Sequence, residues 1–394
     1  MLDLTRIRSE TPGVAHRIHL NNAGAGLLSD RTLRAISDHL RLEAEIGGYE
    51  AEDQRREAIE QTYHSLARLL GARRDEIALF DNSSHAWNAA FYSIPLQPGD
   101  RVLTGHAEYG SNVLAYLQMV QRRGIEVDIV PNDRDGQLDV RALADRVDAR
   151  TKLIGMSHIP TSGGLVNPAV EVGRVARAAG VLYLLDATQT VGQLPLDVDG
   201  VGADLVTATG RKFLRGPRGT GFLYVCSSAL DRLDPFVNEI AASTWDGASG
   251  FEWRAGARRF ETWEHSYATV LGLGSAVDQA LELGMEAVAE RAVALGERLR
   301  DGLDAIPGVH THDLGRVRCA IVTASLEGTP ASAFAAAIRA RGINVSLTDP
   351  KDNQFDERGV HPLVRLSPHY YNTEEEMDNA LGAVAEIAAR RGAA

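Results

Sequence analysis

Lysine is nearly missing from this chain of 394 residues: of its 41 basic residues only Lys152, Lys212 and Lys351 are lysines. Arginine serves any surface role a cation can have, but it cannot shed its proton to act as an amine nucleophile. Cysteine is scarcer still. Cys226 and Cys319 cannot build a disulfide framework, and they fit a reducing, cytoplasmic setting. No basic block offsets the net charge of −12, which argues against a nucleic-acid partner. No apolar run reaches membrane-spanning length, and Met1 to Glu10 holds no apolar signal core. What remains, 44% hydrophobic and 24% charged residues, is the composition of a soluble enzyme long enough for two or three domains.

The stretch from Val181 to Val225 organises the rest. Val181 to Leu185 is an apolar run that stops at Asp186; Leu205 to Ala208 is a second, leading through Thr209-Gly210-Arg211 to Lys212; Phe222 to Val225 is a third. Short apolar runs bounded by turn residues read as strands buried on both faces. An acid and a lysine at the ends of neighbouring buried strands need partners. A lysine among glycines and threonines is a candidate Schiff-base former, and an aldehyde cofactor also needs an acid at its ring nitrogen.

Asp186-Ala-Thr-Gln189 followed by Thr209-Gly-Arg-Lys212 resembles the pyridoxal phosphate (PLP) site of class V aminotransferase-fold enzymes. That group includes cysteine desulfurases, selenocysteine lyases, isopenicillin N epimerase and several carbon–sulfur lyases. The resemblance runs over nearly the whole chain. It implies an α/β PLP-dependent transferase of fold type I: a large domain over 16–255 with a mostly parallel sheet flanked by helices, and a smaller α+β C-terminal domain over 256–394 joined by residues 1–15. It also implies that Lys212 bears the cofactor, that Asp186 pairs with the pyridine nitrogen, and that Gln189 bonds the ring oxygen.

Strands and helices alternate along the first half of the chain, as in a parallel sheet with ligands at the strand C-terminal ends. By resemblance, the glycine-rich segment His19 to Gly26 lines the substrate side, with Asn22 a candidate contact. Asp81 to Trp87 starts a helix whose free N–H groups suit a phosphate, which the resemblance assigns to Ser84 and His85. Tyr109 takes the position of the ring that stacks on the pyridine. His158 stands where relatives often place an Asn near the ring oxygen. Thr209 and Arg211 carry over as phosphate partners. Arg365, before Asn372-Thr373, matches the arginine that binds the substrate α-carboxylate, for which a guanidinium fork is well shaped. No metal ligand set is read from the sequence. A homodimer is expected, although Trp263-Glu264 replaces the Gly-Thr pair through which desulfurases reach the neighbouring subunit's phosphate.

Desulfurase chemistry needs an acceptor thiolate, and the loop matching its usual place, Thr348 to His361, has no cysteine. Glu43 to Tyr49, Glu108 to Asn112, Arg211-Lys212 with Gly216 to Gly219, and Arg365 to Thr373 look most like the ergothioneine-pathway sulfoxide lyases. The expected reaction is therefore β-elimination from a cysteine S-conjugate or its sulfoxide to pyruvate and ammonia, acting on a small amino-acid substrate. Transamination or epimerisation is the alternative, and persulfide-forming desulfuration is disfavoured.

Overall fold

The computed structural model describes residues 2–247, 249–349, 359–360 and 362–391. The chain opens with α1 (Leu4–Ser9) and the two-residue strand β1 (Ile18–His19), then two long helices, α2 (Asp30–Ile46) and α3 (Gly48–Leu70). Ser29 caps α2 by accepting from the Thr32 amide. The two helices meet at Gly47, whose φ of +102° is strained for any side chain.

The alternating region follows: β2 (Ile77–Phe80), α4 (Ser83–Tyr92), β3 (Arg101–Gly105), α5 (Gly110–Arg123), β4 (Glu126–Val130), α6 (Val140–Arg146), β5 (Thr151–Ser157), α7 (Ala169–Ala179), β6 (Leu182–Asp186), the short α8 (Val198–Val201), β7 (Leu205–Thr209) and β8 (Gly221–Val225). These strands form one seven-stranded sheet in the order β2-β8-β7-β6-β5-β3-β4. Every neighbouring pair is parallel except those made by β8. The continuous apolar runs are explained by burial on both faces. Tyr183, Leu185, Val206 and Phe222 enter one core, while Leu182, Leu184, Leu205 and Leu223 enter the other.

Beyond the sheet lie a hairpin of β9 (Ser243–Trp245) and β10 (Phe251–Trp253), then α9 (Tyr267–Leu283) and α10 (Met285–Asp304). The chain ends with β11 (Val309–Thr311), β12 (Val322–Leu326), α11 (Ala331–Arg339), β13 (Ile343–Asn344), β14 (Ser346–Leu347), β15 (Val364–Leu366) and α12 (Glu374–Arg391). A second sheet, β11-β12-β15-β14, is antiparallel throughout; α10 and α11 cover it, and α12 packs on both helices.

The packing crosses the domain limits read from the sequence at two places. Helix α9, within 256–394, packs on α2 and α3, and its Val270, Leu273 and Val277 belong to the main core. The N-terminal segment straddles both units. Ile7 of α1 is buried in the main core, whereas β1 pairs in parallel with β13 of the smaller unit.

Candidate active site

The C-terminal ends of β6 and β7 sit side by side, which carries an acid and an amine to one edge of the sheet. Asp186, the last residue of β6, is 6% exposed. Its Oδ1 accepts from the Thr188 amide at 2.9 Å and its Oδ2 from Asn112 Nδ2 at 3.1 Å. Lys212, 7% exposed, follows β7. Both line a cleft shared with Ser84, Tyr109, Gln189, Thr209 and Arg211. Seven of the expected positions therefore lie around one hollow.

One end of the hollow is the start of α4. Asn82 caps the helix by accepting from the His85 amide at 2.9 Å, and Ser83 and Ser84 face the cleft. Ser83 Oγ bonds Thr188 Oγ1 at 2.6 Å, tying the helix start to the turn after Asp186. Two glycines make the close packing possible. A Cβ on Gly221 would lie 2.6 Å from the Asn82 carbonyl carbon, and one on Gly210 would lie 2.3 Å from Thr220 Oγ1. Arg211 donates through Nη1 to the Gly24 carbonyl. Burial and then the neighbouring Arg218 lower its pKa, as expected of a cation held for an anion. The Thr209 hydroxyl donates to the Thr220 carbonyl at 2.9 Å.

The smaller unit reaches the cleft through Thr161, one of the cleft's lining residues. Arg365 of β15 is 6% exposed and donates through Nη1 to Thr161 O at 2.7 Å and to Thr161 Oγ1 at 2.8 Å. That hydroxyl also accepts from Gln189 Nε2 at 3.1 Å, so a single threonine links the arginine to the cleft wall. Asn22 is fully buried and occupied by protein partners: Nδ2 donates to Ser367 O and Oδ1 accepts from the Tyr371 hydroxyl. It fastens the N-terminal loop to the segment after Arg365.

Arg215 reinforces the same junction. It adopts φ of +61°, uncommon for a side chain of this size. Its guanidinium donates to Leu27 O, the Tyr370 hydroxyl and Thr11 Oγ1, with the Tyr371 ring 4.6 Å away.

Two expected residues are elsewhere. The His85 ring is largely exposed, 2.7 Å from Asp81 Oδ1, and lines a neighbouring apolar cavity; as the third helical residue it is turned round from Ser83. His158 lies between Ser157 and Ile159, which face the cleft, and points to Thr190 Oγ1 at 3.0 Å. Burial lowers its pKa to about 4. Six polar cleft residues were not singled out from the sequence: Asn82, Ser83, Asn112, Ser157, Thr161 and Thr188. Small polar residues at strand and helix ends carry no signal apart from their neighbours. The loop matched to the desulfurase thiolate lies largely outside the described residues.

The donor set suits PLP. Gln189 Oε1 is buried in the cleft wall with no hydrogen-bond partner of its own, a polar atom awaiting a ligand. An amine, a carboxylate hydrogen-bonded on both oxygens, a helix N-terminus and the half-buried guanidinium of Arg211 surround the same space.

Comparison with known proteins agrees. The family model for Aminotransferase class-V matches residues 18–380. A probable cysteine desulfurase from Methanothermobacter thermautotrophicus is 27% identical over 97% of each chain. The apo structure of a cysteine desulfurase from Thermococcus onnurineus NA1 superposes with a TM-score of 0.92 at 22% identity, covering 99% of each chain. A solved C-DES variant with glycine covalently linked to its PLP cofactor gives a TM-score of 0.86 at 25% identity, over 96% of this chain and 99% of its own.

These likenesses overturn the expectation of a sulfoxide-type lyase with desulfurase activity disfavoured, because relatives matched over most of their length are named cysteine desulfurase or probable cysteine desulfurase. The physical error lay in the weight given to the missing loop thiol. An acceptor cysteine carries sulfur away, but it is not among the groups that activate the substrate Cα. The chain belongs to the class V aminotransferase family and is a PLP-dependent enzyme.

Proposed function

We propose that the chain is a cysteine desulfurase that passes sulfur from L-cysteine to a thiol outside the chain. The reading is carried by the shared cleft of Asp186 and Lys212, with Arg365 tied into its wall through Thr161. Bound PLP supplies an electron sink for charge developing at the substrate Cα. Lys212 would hold the cofactor through its amine and, as the amine beside the substrate, would move the Cα proton. Asp186 keeps a proton at the ring nitrogen, with the Thr188 amide and Asn112 fixing its two oxygens. Arg365 takes the α-carboxylate in its fork. Tyr109 covers the ring face, and Ser84 and Arg211 take the phosphate.

The acceptor comes from elsewhere because neither cysteine is suited to the task. Cys319 is buried, and burial raises its thiol pKa to about 12. Cys226 follows Val225, whose strand partner is Leu205 at the start of β7, whereas Gly221 pairs with Thr209 at the cleft end. Five residues of strand separate Cys226 from that end, roughly 16 Å. The acceptor sulfur bonds to the cysteine sulfur, the Cβ–S bond breaks with its electron pair left on carbon, and Cβ takes up a proton, so the products are alanine and a persulfide.

The test is holoenzyme with L-cysteine, with and without a small thiol. Alanine and, after reduction, sulfide should appear in equal amounts and depend on the thiol. Pyruvate and ammonia as the main products would sink the reading. A homodimer is part of the proposal, supported by the exposed apolar side chains of Phe236, Ile240, Trp245 and Trp263, and a monomeric mass in solution would refute it. A cytoplasmic setting fits two cysteines without a disulfide. No helix among the described residues is long and apolar enough to cross a membrane.

A further inference from the structure

Behind Asp186 lies a second buried acid that the reading above leaves without a task. Glu108, in the turn between β3 and α5, is 1% exposed. Its Oε1 accepts from the Tyr109 amide at 2.8 Å, from Asn112 Nδ2 at 2.9 Å and from the Ser157 hydroxyl. Its Oε2 accepts from Thr104 Oγ1 at 3.1 Å. Asn112 Nδ2 gives its other hydrogen to Asp186 Oδ2, so one amide bridges two buried carboxylates.

We propose that Glu108 is the positioning residue for Asp186: its anionic carboxylate fixes the Asn112 amide toward Asp186 and adds a second negative charge behind the acid that holds the ring-nitrogen proton. The inference rests on the reading of Asp186 as the partner of that nitrogen.

The hydrogen bonds support the anion. The Tyr109 and Asn112 N–H groups can only donate, and both converge on Oε1 together with a hydroxyl. Such a set favours a carboxylate over an acid. Burial and then repulsion from Asp186 act the other way and raise the Glu108 pKa, against the bonds from Ser157, Asn112 and Tyr109. A positive charge on the ring nitrogen relieves part of that opposition, so cofactor binding and ionisation of Glu108 reinforce one another. The other ionisable groups near the pair are Lys212 and Tyr109, which share the cleft with Asp186, and the Tyr116 phenol on α5, which burial and then Glu108 hold in its neutral form.

A purely structural role for Glu108 would affect stability alone, whereas this role reaches the bound cofactor. The experiment follows the visible absorption of the holoenzyme against pH in the wild type, Glu108→Gln, Glu108→Asp and Asp186→Asn. In Glu108→Gln the amide carbonyl can still accept the three bonds made at Oε1, and Thr104 can reverse its hydroxyl. Geometry is kept and one charge is lost. The midpoint of the absorption change should fall by about one pH unit, a tenfold loss of proton affinity at the cofactor, and Glu108→Asp should recover at least half of the fall. A Glu108→Gln midpoint equal to the wild type overturns the proposal if Asp186→Asn still shifts its own. If Asp186→Asn shifts nothing, the reading of Asp186 has failed as well. Should Glu108→Gln not fold, Asn112→Ser takes its place. Asp186 then loses a donor and its negative charge is left more fully to the ring nitrogen, so the midpoint should rise, and an unchanged one overturns the proposal.

Discussion

Replacing Gly221 by alanine should weaken cofactor binding without removing a single polar group. The new Cβ would stand 2.6 Å from the Asn82 carbonyl carbon, 2.9 Å from Asn82 Cα and 2.9 Å from the Ala208 carbonyl oxygen. All three are backbone atoms, so no side chain can swing aside. Bringing the first contact to ordinary separation moves the start of α4 by about 0.8 Å, and overpacking of this kind costs about 1–3 kcal/mol of stability. The same displacement misaligns the helix N–H groups proposed to take the phosphate. Loss of one such charge-assisted bond, about 1.5–3 kcal/mol, weakens PLP affinity roughly ten- to hundredfold.

The control is Gly173→Ala on α7, whose Cβ would meet the Val201 carbonyl oxygen at 1.8 Å, beside a residue that does not line the cleft. It should destabilise at least as much. The assay titrates each apoenzyme with PLP by absorbance and compares melting temperatures. Wild-type affinity in a destabilised Gly221→Ala would refute the phosphate assignment to α4. Equal weakening by both variants would show that affinity reports only general loosening.

Other expectations follow from the same geometry. Arg365→Lys loses the planar fork, so KM for cysteine should rise about tenfold or more with a smaller change in kcat; steady-state kinetics checks this. The His158 imidazole takes up its proton near pH 6.5 when unfolded but only near pH 4 when buried. Its contribution is therefore intact above pH 6.5 and fades as pH falls toward 4, amounting to about 2 kcal/mol by pH 5. His158→Gln should flatten that acid limb in urea unfolding compared at pH 8 and pH 5. Asp313 accepts from Arg300 Nε at 2.8 Å in a pair exposed by only 2% and 1%, and Asp313→Ala should cost about 3 kcal/mol by the same unfolding measurement. Cys226→Ser and Cys319→Ser should each keep most of the alanine-forming activity, and loss in either would return the acceptor role to the chain.

The strands were legible because burial on both faces leaves continuous apolar runs, and Asp186 and Lys212 stood out as polar residues at the ends of such runs. Orientation at a strand end was not legible. His158 differs from Ser157 and Ile159 by one residue, and one residue turns a side chain to the other face. His85 fails for the helical version of the same reason. Helix α9 has an apolar composition that fits either unit, and only its packing on α2 and α3 decides between them. Glu108 reads as a turn residue in a row of letters. Its burial arises from Thr104, Asn112 and Ser157, which three separate elements bring to one point.

The pairing of Ile18–His19 with Ile343–Asn344 has a bearing on synthesis. Early residues that belong beside Lys212, such as Gly26, whose amide bonds the Arg211 carbonyl at 2.8 Å, are held from behind by a strand made more than three hundred positions later. A ribosome-bound chain can complete its central sheet well before then, yet β1 stays without its strand partner until the far end emerges. Final assembly of the catalytic pocket is thus deferred to release, and the nascent protein should acquire cofactor only after translation has finished.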